Sequence, residues 1–346
     1  MARKAQAGVP KRRASIADVA AAAGVSNSAV SKVLRNAYGV SPLMRARVEE
    51  AIKKLDYRPL TSARAMRGQS HVVGIEIPQL GNEFFTMIIE GVQQRLQETG
   101  YTVMIAPPMD GVHCRTALNA LVDHQVDGII AIAPDIAPDE LNQIARNTPL
   151  VMIGRHDISH HYDSVVGDDE NGGSQIMEYL FESGHCKITL LTVKPDLDLE
   201  NARQPHTLRR WSYENAMAKA GLEPHVVYAG QASSDVYQKA RDVLQGQDRP
   251  TALIAGHDAM AIEALRALHD LGLTPEDVAI IGYDDIGIAS HPMISLTSVR
   301  QFGEQMGRKA VEMLIERIQG EREAANQLSI TPKLVLRDSS KRSRQS

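Results

Sequence analysis

The sequence predicts a two-part fold: an N-terminal all-α helix-turn-helix headpiece, then an α/β body built on doubly wound parallel sheets. Three observations predict it. Two short apolar-striped segments meet at Gly24, near the N-terminus. From Val72 onward, strand-like runs alternate with helical patterns. The charge divides near the same boundary: residues 1–68 carry 14 Lys and Arg against 4 Asp and Glu, a net of +10, and the rest carries 24 against 38, a net of −14. A basic arm on an acidic body is expected where one end meets a polyanion; a solvated basic tail is the plainer alternative.

The headpiece follows from local rules. Ser15 suits the N-cap of a first helix, and Ile16, Val19, Ala20 and Ala23 share one face of it. Gly24 tolerates the left-handed backbone of the turn that follows. Ser26 caps a second helix, Asn27 to Leu34, whose apolar stripe is Val30, Val33 and Leu34. Small Ala20 lets the two helices cross closely. Such a pair places the N-terminal end of its second helix in the major groove. Here Asn27 and Ser28 can bond base edges, and the Ala29 methyl can touch a thymine methyl. Ser31, Lys32 and Arg35 suit phosphate contacts. Ser41 caps a third helix, with Pro42 in its first turn and Val48, Ala51, Ile52 and Leu55 as its stripe. Asp56-Tyr57-Arg58-Pro59 ends it.

The body reads as alternation. Strands are expected at Val72 to Ile77, Tyr101 to Ala106, Asp127 to Ile132, Leu150 to Ile153, Ile188 to Val193, Ala252 to Ala255 and Val278 to Tyr283. Helices are expected before Gly100 and Gly184, from Tyr213 to Ala220, and from Met260 to Leu268. This pattern predicts parallel sheets with helices on both faces, and ligands beyond the carboxyl ends of the strands.

The whole-chain numbers bound the rest. A chain of 346 residues holds two or three domains, and 43% hydrophobic with 23% charged residues is an ordinary globular balance. No apolar run is long enough to span a bilayer, and no secretory signal follows the basic start. The two cysteines, Cys114 and Cys186, form no metal motif and read as reduced, buried and cytosolic. A cytoplasmic location is expected.

Several motifs then carry a resemblance: Ile16-Ala17-Asp18-Val19-Ala20, Ala23-Gly24-Val25-Ser26, Val30 to Asn36, Val40-Ser41 and Leu55 to Pro59. The segment resembles the headpiece of the lactose-repressor (LacI/GalR) family. Val73-Gly74-Ile75, Asn82 to Phe85, Val126 to Ile130, Gly184-His185, Gly282 to Asp285 and Leu296 to Val299 are similar to the family's body. The resemblance covers nearly the whole chain. It implies a two-lobed body, similar to periplasmic sugar-binding proteins, with a ligand between the lobes. It implies a DNA-binding domain at 15–59, a hinge linker at 60–70 and an effector-binding and dimerisation body at 71–338; outside it lie a basic disordered arm at 1–14 and a tail at 339–346 whose Ser, Lys and Arg content predicts disorder.

The linker, expected to become helical on DNA, contains Ala63, Arg64 and Met66. The family usually carries leucine at the position of Met66, and the paired leucines of a dimer wedge into the minor groove. Met66 either does the same or packs on its dimer mate. Leu60 replaces the usual asparagine after the proline.

The effector positions implied by the resemblance are Asn82, Phe84, Phe85, Asn171, Arg209, His257 and Asp284. Carboxylates and amides suit sugar hydroxyls, and an aromatic face suits the ring. Arg209 is read as opening a helix, where a cation sits badly with the dipole, which points to a role beyond the helix. His257 stands where the family usually has asparagine. Plainer readings exist beside these: Asp284 and Asp285 could cap a turn, Arg209 could form a surface ion pair, and Phe84 could be core. Trp211 reads as a packed wedge. His156, His160 and His161 share a loop, but their spacing resembles no metal helix.

The implied function is a sequence-specific DNA-binding transcriptional repressor, a homodimer on operator DNA, controlled by a sugar-like small molecule. The alternatives are control by a protein corepressor, or a solute-binding protein without DNA function. No GxSxG elbow, P-loop or HExxH helix supports an enzyme, and neither cofactor nor metal is expected.

Overall fold

A computed structural model describes residues 14–35, 37–58, 69–107, 114–194, 204–230 and 232–341. They form two compact units that divide between Ser70 and His71. Ala63, Arg64 and Met66 lie outside the described residues, as do most of the basic arm and the linker.

The first unit holds three helices: α1 (Ile16–Ala23), α2 (Asn27–Leu34) and α3 (Pro42–Lys54). Each starts on a serine cap. Ser15 and Asp18 form a reciprocal capping box, so two helix-end donors are satisfied at once. Ser26 Oγ accepts from the Ala29 N–H, and Ser41 Oγ from the Met44 N–H. Gly24 takes a φ of 63°, the left-handed turn expected of it. Val19, Val30, Val48 and Tyr57 meet in the centre.

The second unit alternates strands and helices. In chain order its first half runs β1 (Val72–Glu76), α4 (Glu83–Leu96), β2 (Thr102–Ala106), α5 (Cys114–Asp123), β3 (Gly128–Ile132), α6 (Pro138–Ala145), β4 (Leu150–Ile153) and β5 (Asp163–Gly167). There follow α7 (Asp169–Glu182), β6 (Ile188–Val193), α8 (Pro205–Lys219), β7 (His225–Ala229), α9 (Ser233–Gln245), β8 (Ala252–Ala255), α10 (Asp258–Asp270), β9 (Ala279–Asp284) and β10 (Thr297–Arg300). The last elements are α11 (Gly303–Ile318), β11 (Gln327–Ile330) and β12 (Lys333–Val335).

The strands make two six-stranded sheets, ordered β11-β5-β4-β3-β1-β2 and β12-β10-β9-β8-β6-β7. Every pairing is parallel except β10 with β12. The chain passes between the sheets after β5, after β10 and after β11, so three short segments join the two lobes. Asp168 N–H donates to the Ile330 carbonyl and ties two of those segments together. In the first lobe, α4 and α11 cross at very close range. A Cβ at Gly91 would run into the Glu304 carbonyl, and one at Gly307 into the Ile88 carbonyl. Only glycine permits that approach.

Four expectations need correction. The helix expected from Tyr213 begins at Pro205. Its first turns carry His206, Arg209 and Arg210, whose polarity hides the apolar stripe of Leu208, Tyr213 and Met217. The tail expected to be disordered from residue 339 is ordered through Lys341. Ser339 and Ser340 are buried, and Ser339 Oγ donates to the Ile280 carbonyl at 2.6 Å. Their polar character serves hydrogen bonds to β9 and β10 rather than solvent. Cys114 is buried, but Cys186, in the loop leading into β6, is exposed; both are free thiols. Trp211 is no packed wedge: it is 40% exposed, on a groove that α8 shares with α7. Among the described residues, no helix is long and apolar enough to cross a membrane.

Candidate functional site

The carboxyl ends of the strands of both sheets face one cavity of about 610 Å³. Gln79 after β1, Ala133 after β3, Gly154 after β4, Lys194 after β6 and Asp284 at the end of β9 all line it. A parallel sheet leaves its strand ends open at this edge, which is why polar side chains collect there.

Arg209 is the centre of the polar wall. It lies in the second turn of α8, not at its start, so the helix dipole does not account for it. Its Nε donates to Asp169 Oδ1 at 2.7 Å, and its Nη1 donates to the Gly256 carbonyl at 3.0 Å. The guanidinium carbon sits 3.6 Å over the Tyr283 ring. This is a nearly buried ion pair, not the surface pair weighed above. Asp169 also meets His156 Nε2 at 2.9 Å.

Asp284 caps no turn. Its Oδ1 accepts from Gln301 Nε2 at 2.6 Å. Burial pushes its carboxyl up to about 7, against the opposing pull of Arg209 and Gln301. Neighbouring Asp285 is ion-paired with Arg300 and Arg337. His257 caps α10: its Nδ1 accepts from the Met260 N–H at 3.4 Å. Burial, then the Arg209 cation, lowers its pKa to about 4, so the ring is neutral.

Asn82, Phe84, Phe85, Arg209, His257 and Asp284 therefore meet in one cavity. Asn82 Oδ1 caps α4 by accepting from the Phe84 N–H, and the two phenylalanine rings lie tilted at 6.2 Å. Asn171 does not join them. It is exposed, outside the cavity lining, and its Oδ1 accepts from Gln175 one turn along α7. The carboxylate that faces the cavity from that turn is Asp169. Sequence reasoning missed Asp169, His206 and Gln301. The acidic start of α7 resembles any helix N-terminus, and Gln301 gains meaning only from its contact with Asp284.

In the headpiece unit, Asn27 and Ser28 are exposed at the start of α2 and Ala29 is half-buried beside them. Ser28 Oγ lies 2.9 Å from the capping Ser26 Oγ. Lys32 and Arg35 are exposed at the far end of α2, and Arg35 Nε folds back to donate to the Ser31 carbonyl at 3.2 Å. Ser15 and Ser26 act locally as caps.

Residues 15–59 match the family described as bacterial regulatory proteins, lacI family, and residues 177–340 match a periplasmic binding protein-like domain. The chain is 32% identical to the ribose operon repressor of Escherichia coli (strain K12), over 94% of this chain and 99% of that one. It is 31% identical to the HTH-type transcriptional repressor PurR of Aliivibrio salmonicida, over 94% of this chain and 98% of that one. The chain belongs to the lacI family of bacterial regulatory proteins. Among solved structures of lacI-type proteins, the lac repressor dimer bound to operator and the anti-inducer ONPF superposes with a TM-score of 0.77, at 25% identity over 95% of this chain and 99% of that one. As a lacI-family member the protein is a DNA-binding transcriptional repressor under small-molecule control, not an enzyme.

Proposed function

We infer that this repressor reads operator DNA through the N-terminal end of α2 and is released or engaged by a sugar-like molecule held between its lobes. The observation that carries the effector half is the single cavity where six of the seven expected effector residues meet around the Arg209–Asp169 pair. Hydroxyl groups suit that wall, because a carboxylate accepts from them and an arginine donates to them. A ligand that binds one lobe arrangement better than another shifts the population between the two, and operator affinity shifts with it.

The DNA half rests on the exposed Asn27 and Ser28 and the net +10 of residues 1–68. Ala29, Ser31, Lys32 and Arg35 complete that surface; Ala63 and Arg64 are read as further DNA contacts, and Met66 as an apolar wedge for the minor groove, all three outside the described residues. Two copies bind a two-fold operator, in the bacterial cytoplasm at the nucleoid; sedimentation of the free protein at the mass of two chains is the expected result.

Three substitutions test the reading. Asn27→Ala or Ser28→Ala is expected to weaken discrimination against a mismatched operator by about 1–3 kcal/mol per lost base contact. Competition anisotropy with operator variants measures it, and an unchanged sequence preference removes α2 as the reading helix. Asp284→Asn keeps the side chain's shape but replaces one acceptor oxygen with an NH2 donor and removes the charge. It is expected to leave operator affinity intact while weakening the effector about tenfold or more. A normal effector response places Asp284 outside the binding site.

A further inference from the structure

Two helix N-termini open on the cavity, and each presents a histidine. His206 is the second residue of α8, and His257 is the N-cap of α10. Both line the cavity, with their rings 6.0 Å apart in an edge-on arrangement. The first-turn N–H groups of such helices carry partial positive charge and attract anions.

The rings themselves are donors without charge. His257 Nδ1 accepts from the Met260 N–H, so its own proton sits on Nε2. His206 Nδ1 is buried with no hydrogen-bond partner among the described residues, which leaves that ring's hydrogen-bonding capacity for a ligand. Burial, then the Arg209 guanidinium, keeps His206 well below the usual histidine range, and His257 adds a smaller push. The charge that acts on both rings is thus a cation.

The nearby acids do not cancel this. Asp169 is ion-paired with Arg209 and lies 2.9 Å from His156 Nε2. Asp284 is engaged by Gln301. At the rim, Arg210 pairs with Glu214, and Lys194 stands among the lining residues with Asp135 and Glu263.

We propose that the effector carries a carboxylate, which the His206–His257 pair receives at the N-termini of α8 and α10; the ligand is an acidic sugar. This rests on the reading of the cavity as the effector site. A carboxylate only accepts hydrogen bonds, and this corner of the cavity offers donors and positive partial charge. The hydroxyl end of the same molecule faces Asp284 and Asp169.

Calorimetry and operator-release anisotropy on the full chain test this with D-gluconate, D-glucuronate and D-galacturonate against D-glucose and D-galactose. At least one acid is expected to bind roughly tenfold or more tightly than its neutral counterpart, the size of one charge-assisted hydrogen bond. H206N and H257N are expected to reduce that preference; asparagine at position 257 still caps α10. Neutral sugars that bind as well as the acids overturn the proposal and leave the effector reading standing. An acid preference unchanged in the double variant overturns the placement at the histidines. If neither class binds while operator affinity is intact, the proposal and the sugar reading both fail.

Discussion

Asp163→Ala is expected to destabilise the second unit by about 3–5 kcal/mol, the cost of leaving buried charges without their partner. Asp163 opens β5 and is fully buried. Arg317 donates to it from Nε at 2.8 Å and from Nη2 at 3.1 Å. Arg322 donates from Nη1 at 2.9 Å and Nη2 at 2.7 Å, and the Asn326 N–H donates at 2.7 Å. One carboxylate thus joins β5, the end of α11 and the turn into β11. Burial is the largest influence on its ionisation and opposes it. The donors from Arg322, Arg317 and Asn326 together outweigh burial, and the carboxyl is held below its ordinary value. The folded pKa is depressed, so the stabilisation is complete above the unfolded value of 3.8 and is lost as pH falls through the folded one. Urea unfolding at neutral pH measures the effect. A loss under about 1 kcal/mol, the range of a surface ion pair, means the cluster is not buried as described.

Glu76→Gln is expected to do the opposite. Glu76 lies in β1 with no exposed surface, and among the described residues neither carboxylate oxygen has a hydrogen-bond partner within ordinary distance. Burial pushes its carboxyl up to about 8, against smaller opposing effects of the Cys114 side chain and the Ile132 backbone. The folded protein therefore keeps a proton that the unfolded chain releases. With the folded pKa raised, stability falls as pH climbs from 4.5 to about 8 and is level outside that window. Glutamine has nothing to ionise. The variant should match the parent near pH 4.5 and gain on the order of 1–3 kcal/mol by pH 8. Thermal unfolding across that pH range tests it, and a stability difference that does not change with pH removes the buried acid as its cause.

The headpiece was legible because its rules are local. Ser15, Ser26 and Ser41 each cap the helix that follows within three residues, and Gly24 supplies a turn that its own missing Cβ permits. The parallel alternation was legible for the same reason. The edge strand β2 was read too, whereas β7, the edge of the other sheet, was not, since its exposed residues break the buried apolar run. The start of α8 was not legible, because a helix that lines a polar cavity on one side loses the apolar period on that side. The terminal serines misled in a related way. Ser339 and Ser340 look like solvent-facing residues until β9 and β10 supply their partners.

By itself the sequence determined the helix-turn-helix, the charge division and the doubly wound class, which follow from local spacing and composition. Six of the residues around the cavity were reached through the family resemblance rather than through any local pattern. Only the tertiary structure decided that Arg209 pairs with Asp169, that Asn171 points elsewhere, and that His206 and His257 share one corner. These groups sit on different elements, far apart in the chain. Contacts across strand ends set which polar groups are neutralised and which are left to hold a ligand, and no local pattern encodes that.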